Sequence, residues 1–160
     1  MPKERDDVRI KITRRGPGDI SMETVTSVSL TKIKDVLRDH KRFRSLNDKI
    51  VAYHTVPNIG VGDETVNYFA CESPNPYLGL DPVDVLVAIR VSPDRVTLKT
   101  LSDKLFVSDS YTRITGVKLA IETRDDKLRI HMKYDPDRLS IVDSQVEDFL
   151  RHALNLCRNL

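Results

Sequence analysis

Apolar residues recur along this chain with two periods, and the switches between them mark out its elements. Val8, Ile10 and Ile12 alternate with Arg9 and Lys11, the two-residue period of a strand with one wet face, so a strand is predicted over 8–13. Gly16, Pro17 and Gly18 break the ladder and give a loop over 14–19. Residues 20–30 are rich in Thr, Val and Ser, types that favour extended chain, and most of that segment reads as strand. The period then changes. Thr31 is placed to cap a helix, and Ile33, Val36, Leu37 and His40 recur at helical spacing, predicting a helix to about Phe43.

Asn47 and Asp48 signal a turn before a strand over 49–56, which Pro57, Gly60 and Gly62 stop. Residues 65–71 are extended too, and the two segments can pair as a hairpin. Residues 72–82, ESPNPYLGLDP, hold three prolines and a glycine and predict the longest irregular segment. Strands follow over 83–91 and 95–101, separated by Ser92, Pro93 and Asp94. Val117, Leu119 and Ile121, then Leu128, Ile130, Met132 and Tyr134, alternate with charged neighbours around Arg124, Asp125 and Asp126, which predicts an antiparallel hairpin. Ser140, with Asp143 three positions on, opens a last helix. Its apolar stripe is Val142, Val146, Phe149, Leu150, Ala153, Leu154 and Cys157. Strand next to strand with helices at two places predicts an α+β fold: one domain over 1–160, a mainly antiparallel sheet of about six to eight strands, and helices near 31–43 and 140–158 on one face.

Composition narrows the class. Of 160 residues, 39% are hydrophobic and 31% charged, which suits a globular domain rather than a disordered tail. With only Cys71 and Cys157, a disulfide scaffold is excluded and a reducing, intracellular or cytoplasmic setting is expected. The charged start lacks the apolar stretch of a signal peptide, and no apolar run approaches the ~20 residues of a membrane-spanning helix.

Candidate chemistry is sparse. The four histidines fall on separate predicted elements, and Asp148 with His152 reads as a helix-surface ion pair. Cys71 and Cys157 read as packing residues, and no G-x-S-x-G turn occurs. Asp81 and Asp84 flank Pro82 and Val83 and are better explained as turn and strand carboxylates than as metal ligands. Gly16 with Gly18, and Gly60 with Gly62, lack the third glycine and following helix of a phosphate cradle. The sequence therefore implies no metal, no cofactor and no catalytic residue.

Charge distribution carries more. The first fifty residues hold 13 Lys and Arg against 8 Asp and Glu, and the remainder 13 against 16. Arg14 and Arg15 follow the first strand, while Lys34, Arg38, Lys41, Arg42 and Arg44 lie on or just past the first helix, more cations than its C-terminal dipole accounts for. These seven are the candidate partner-binding residues. The expectation is a non-catalytic interaction or structural module, a viral matrix-type protein among the options, docking nucleic-acid phosphate, an anionic membrane or an acidic protein. The alternative is a small enzyme or ligand-binding domain sited at the 72–84 loop, with Glu72, Tyr77, Asp81 or Asp84 as working groups. A homo-oligomer paired through a sheet edge or the last helix is a third option.

Two short stretches are similar to a known family. Residues 37–45, LRDHKRFRS, resemble the early helix of the condensation and acyltransferase superfamily, where a helix ending in a basic HPRFRS-like run leads into a strand. Residues 128–149, LRIHMKYDPDRLSIVDSQVEDF, look like its closing strand and helix. The catalytic HHxxxDG sequence of that superfamily does not occur, so the resemblance implies an order of elements and no active-site residue.

Overall fold

A computed structural model of the chain describes residues 10–57, 59–72, 82–102, 105–106, 108–137 and 143–160. The expected Ser140 cap and Val142, the start of the first strand at Val8, and Tyr77 and Asp81 lie outside the described residues. The fold is the predicted α+β domain: an open sheet of nine strands, antiparallel but for one short pairing, with one long C-terminal helix and a short helix pair.

Strands β1 (Lys11–Gly16) and β2 (Asp19–Val25) form a hairpin whose first strand runs three residues further than the pattern suggested, so Arg14 and Arg15 belong to the strand and not to a loop. The tight turn is available because Gly16 and Gly18 adopt φ of 133° and 74°. Extended chain stops at Val25, short of Leu30: the Thr26 hydroxyl accepts the Val28 N–H at 3.2 Å, and Ser29 Oγ accepts the Lys32 N–H at 3.4 Å. Ser29, not Thr31, is therefore the cap of helix α1 (Leu30–Arg38). The helix expected to reach Phe43 is two. Asp39 is extended and its carboxylate accepts the Arg42 N–H at 3.2 Å, capping a second helix, α2 (His40–Ser45).

Strands β3 (Ile50–Thr55) and β4 (Thr65–Cys71) form the expected hairpin, followed by β5 (Val83–Ser92) and β6 (Arg95–Thr100). A two-residue β7 (Thr112–Arg113), not foreseen, pairs parallel with β5. Strands β8 (Val117–Arg124) and β9 (Lys127–Tyr134) are joined by Asp125 and Asp126, both at positive φ, as a two-residue turn matching strand twist requires. Helix α3 (Asp143–Arg158) closes the chain.

The sheet order is β1-β2-β9-β8-β6-β5-β4-β3, so the chain crosses through α1 and α2 from one edge region to the other. Val146, Leu150 and Leu154 of α3 are fully buried against Ile20, Met22, Leu128, Ile130 and Met132, and Ile33 of α1 joins the same core. Alternation sends the intervening residues to the opposite face. There Lys99, Lys118 and Lys133 are directly opposite one another across β6, β8 and β9, while four residues along Arg95, Glu122, Arg129 and Glu23 alternate in sign.

Candidate functional site: a hydrocarbon-walled cavity

Between the helix-facing side of the sheet and the helices lies a cavity of about 240 Å³. Its walls follow from the two periods. Every second residue of β5, β8 and β6 faces it, including Val85, Val87, Leu119, Ile121 and Leu98, and α3 contributes Phe149, Ala153, Leu156, Cys157 and Leu160 at helical spacing. α1 and α2 bring Ile33, Val36, Leu37, Phe43 and Leu46 to the other end, where they meet Tyr53 and Phe69. That end is aromatic: Phe43 stacks on Tyr53 with centroids 3.9 Å apart and stands edge-on to Phe69 at 5.8 Å.

Polar groups at the wall are turned to the frame. The Tyr53 hydroxyl donates to the Leu37 carbonyl at 2.5 Å, and burial pushes its pKa up to about 12, so it stays neutral. Thr100 Oγ1 accepts the Val117 N–H at 3.0 Å and donates to the Val117 carbonyl at 3.3 Å. Asp84 borders the cavity but is out of phase with Val83 and Val85. Its carboxylate, 1% exposed, meets the Arg113 guanidinium at 2.8 Å and accepts the Tyr68 hydroxyl at 2.9 Å. Tyr68 belongs with Leu86 and Ala88 to a separate apolar cluster on the other face of the sheet. The space is thus presented with hydrocarbon and offers almost nothing for water to bond.

The polar cluster around Asp84 braces a loop. Arg113 also donates to the Leu105 carbonyl at 2.7 Å, fixing the segment that carries Phe106 against His54 and Tyr68. Burial first, then the Asp84 hydrogen bond, raise Tyr68 to about 12, and the Tyr111 hydroxyl is raised by donating to Glu72 at 2.6 Å. Of the four residues proposed for the 72–84 loop, Glu72 and Asp84 are brought to one end of the sheet, both occupied by these bonds. Among the described residues no group of three or more metal-ligating side chains occurs.

Cys71 is buried and Cys157 partly buried. Cys71 is fully buried beside Ile50 and Val83, its thiol pushed up to about 11 by burial. Cys157 sits on the cavity wall, its thiol raised by burial to about 12. His152, half-buried on α3, is lowered by the same cause.

The basic residues do not form one surface. Arg14 and Arg15 are on β1, one edge of the sheet, and Arg14 is engaged with Glu147 at 2.9 Å. Arg38 ends α1, and Lys41, Arg42 and Arg44 are exposed on α2, which packs on β3, the other edge. Lys34 is half-buried on α1.

The sequence matches no family model and no curated protein. The fold, however, is that of StAR-related lipid transfer domains. The chain is similar to a StAR-related lipid transfer protein fragment from Xanthomonas axonopodis (TM-score 0.62, 15% identity, 94% of this chain and 97% of that one). It is similar to human StAR-related lipid transfer protein 5 (TM-score 0.57, 14% identity, 99% and 90%) and to human STARD10 (TM-score 0.62, 14% identity, 99% and 76%). These likenesses overturn the expectation of a structural module that docks nucleic acid, an anionic membrane or an acidic protein: of these solved proteins of similar fold, the first two are named for lipid transfer, and the helices and sheet of this chain enclose an apolar cavity. Where the resemblance to the condensation superfamily implies an early helix running through HKRFRS, this chain breaks the helix at Asp39. No helix among the described residues is long and apolar enough to cross a membrane.

Proposed function

We propose that the protein binds a small, mainly apolar molecule of the lipid class inside the cavity and shields it from water. This is the ligand-binding half of the alternative reading, with the site moved from the 72–84 loop to the space beneath α3. The observation that carries it is the cavity itself. Unfilled core volume costs ~24 cal/mol per Å³, so a void of about 240 Å³ withholds on the order of 6 kcal/mol from the fold, comparable to the whole net stability of many domains. A core serving packing alone is expected to close such a space with larger side chains, as at Ala153. Retaining it, with its few polar groups bonded to the frame, suits a guest that brings hydrocarbon and needs no partner inside. The fold shared with lipid transfer proteins supports the same reading.

The test uses N-phenyl-1-naphthylamine, a neutral dye that fluoresces in apolar surroundings. Saturable binding of one dye per chain is expected, displaced by long-chain lipids. Absence of saturable binding to folded protein would defeat the proposal.

A further inference from the structure

The six-residue run HKRFR with Ser45 is α2, and the cavity uses only one side of it. Phe43, with Leu46 just beyond, faces the cavity, whereas Lys41, Arg44 and Ser45 border an open depression of about 340 Å³ outside, together with Asp48 and Ile50. One thin wall separates the two spaces: Ile50, 4% exposed, belongs to the small cluster on which the Phe43 ring packs. The wall is weakly built. α2 has no buried residue and is shorter than a helix that holds itself together in water. The Asp39 cap, the Phe43 and His40 contacts with Tyr53, and a 3.3 Å contact from His40 Nε2 to Thr55 hold it on the edge strand. Segments with so little burial open at low cost.

Resting on the cavity reading above, we propose that the seam between α2 and β3 is the mouth of the cavity, and that Lys41 and Arg44 hold the anionic head of an amphiphile whose chain lies inside. Charge sets the class. The depression has two cations and the Asp48 carboxylate at its rim, and among the described residues neither Lys41 nor Arg44 is in an ion pair, which leaves one positive charge for a monoanionic head such as a carboxylate. Inside, Tyr53 and Thr100 are committed to backbone, so a charged head finds no partner there and its desolvation would go uncompensated. A head at the rim and a chain behind Phe43 satisfies both. The arrangement also accounts for an aromatic-cationic run at this point of the sequence, which helix capping alone does not.

Calorimetric titration with decanoate and with decan-1-ol, equal in chain and different in head charge, tests the proposal at neutral pH. The wild type is expected to favour decanoate by about tenfold, the scale of one charge-assisted contact at a partly exposed rim. In Lys41→Ala/Arg44→Ala that ratio should fall towards one, and high salt should shrink it in the wild type. Lys99→Ala/Lys118→Ala, on the opposite face of the sheet, removes the same two charges as a control and should keep the wild-type ratio. Equal affinity for both chains in the wild type, or a preference that survives in the double variant, overturns the assignment of the mouth while leaving the cavity reading standing. Failure of both compounds to bind the wild type overturns the cavity reading and this inference with it.

Discussion

Ala153 offers the most direct probe of the cavity, because it lies on the cavity-facing stripe of α3 one turn from both Phe149 and Cys157. Ala153→Phe adds a benzene-sized ring at that wall. Benzene is accommodated by an engineered void of ~150 Å³, so the ring would take most of the roughly 240 Å³ and leave on the order of 90 Å³, too little for a lipid chain. Filling that much space can contribute up to about 3.5 kcal/mol at ~24 cal/mol per Å³, less the ~1–3 kcal/mol that imperfect fit costs. The net expectation runs from no change to a gain of about 2.5 kcal/mol, or up to ~10 °C in Tm for a chain of this size. Affinity for N-phenyl-1-naphthylamine should fall by about a hundredfold or more, since guest and ring compete for the same volume. Thermal scans beside dye titration read both. A folded variant that binds the dye as the wild type does, or one that loses more than ~2 kcal/mol, would show that this space is neither empty nor the binding site.

Asp84→Asn should cost about 3 kcal/mol in urea unfolding, because it breaks a buried ion pair in which the 1% exposed carboxylate meets the Arg113 guanidinium at 2.8 Å; a loss below ~1 kcal/mol would contradict that account. With thiols raised to about 11 and about 12, neither Cys71 nor Cys157 should react with 5,5′-dithiobis(2-nitrobenzoic acid) in native protein at neutral pH, and both should react in guanidinium. Fast reaction of either in the native state would place it outside the core. Asp19 accepts a 2.6 Å bond from His131, which lowers its carboxyl below 3.8. Its folded pKa being depressed, the stability it contributes is present above pH 3.8 and lost as pH falls through the lower folded value. His131→Ala should return the Asp19 titration, followed by carbon-13 NMR, towards 3.8. An unmoved titration would refute the cause.

Local rules made the frame legible. The β8–β9 hairpin follows from two alternating runs around Asp125 and Asp126, and α3 from one unbroken stripe. The break at Asp39 was hidden because HKRFR continues the helical rhythm of α1, and a carboxylate that caps the next helix looks the same in sequence as one on a helix surface. β7 escaped because two residues carry no period and depend on distant β5. The cavity was illegible for a deeper reason: Val87, Leu119 or Ala153 has the same place in the pattern whether it meets a neighbour or a void. The one hint was a wide α3 stripe holding the small residues Ala153 and Cys157 between Phe149 and Leu160. Charge was misread in sum, since a count along the chain adds Arg14 to Arg44 although the sheet places β1 and β3 at opposite edges.

The lysine row on the side of the sheet away from α3 bears on how this molecule avoids its own copies. The part of a broad sheet that carries β6, β8 and β9 on the side away from α3 could let a second sheet stack on it, and pairing Lys99, Lys118 and Lys133 in register forgoes some cross-strand stabilisation within the fold. Two chains approaching through that face would have to press ammonium groups together and strip their water, a barrier that a sign-alternating row could escape by sliding into register. The repulsion borne inside one molecule thus becomes protection against aggregation in a crowd of them.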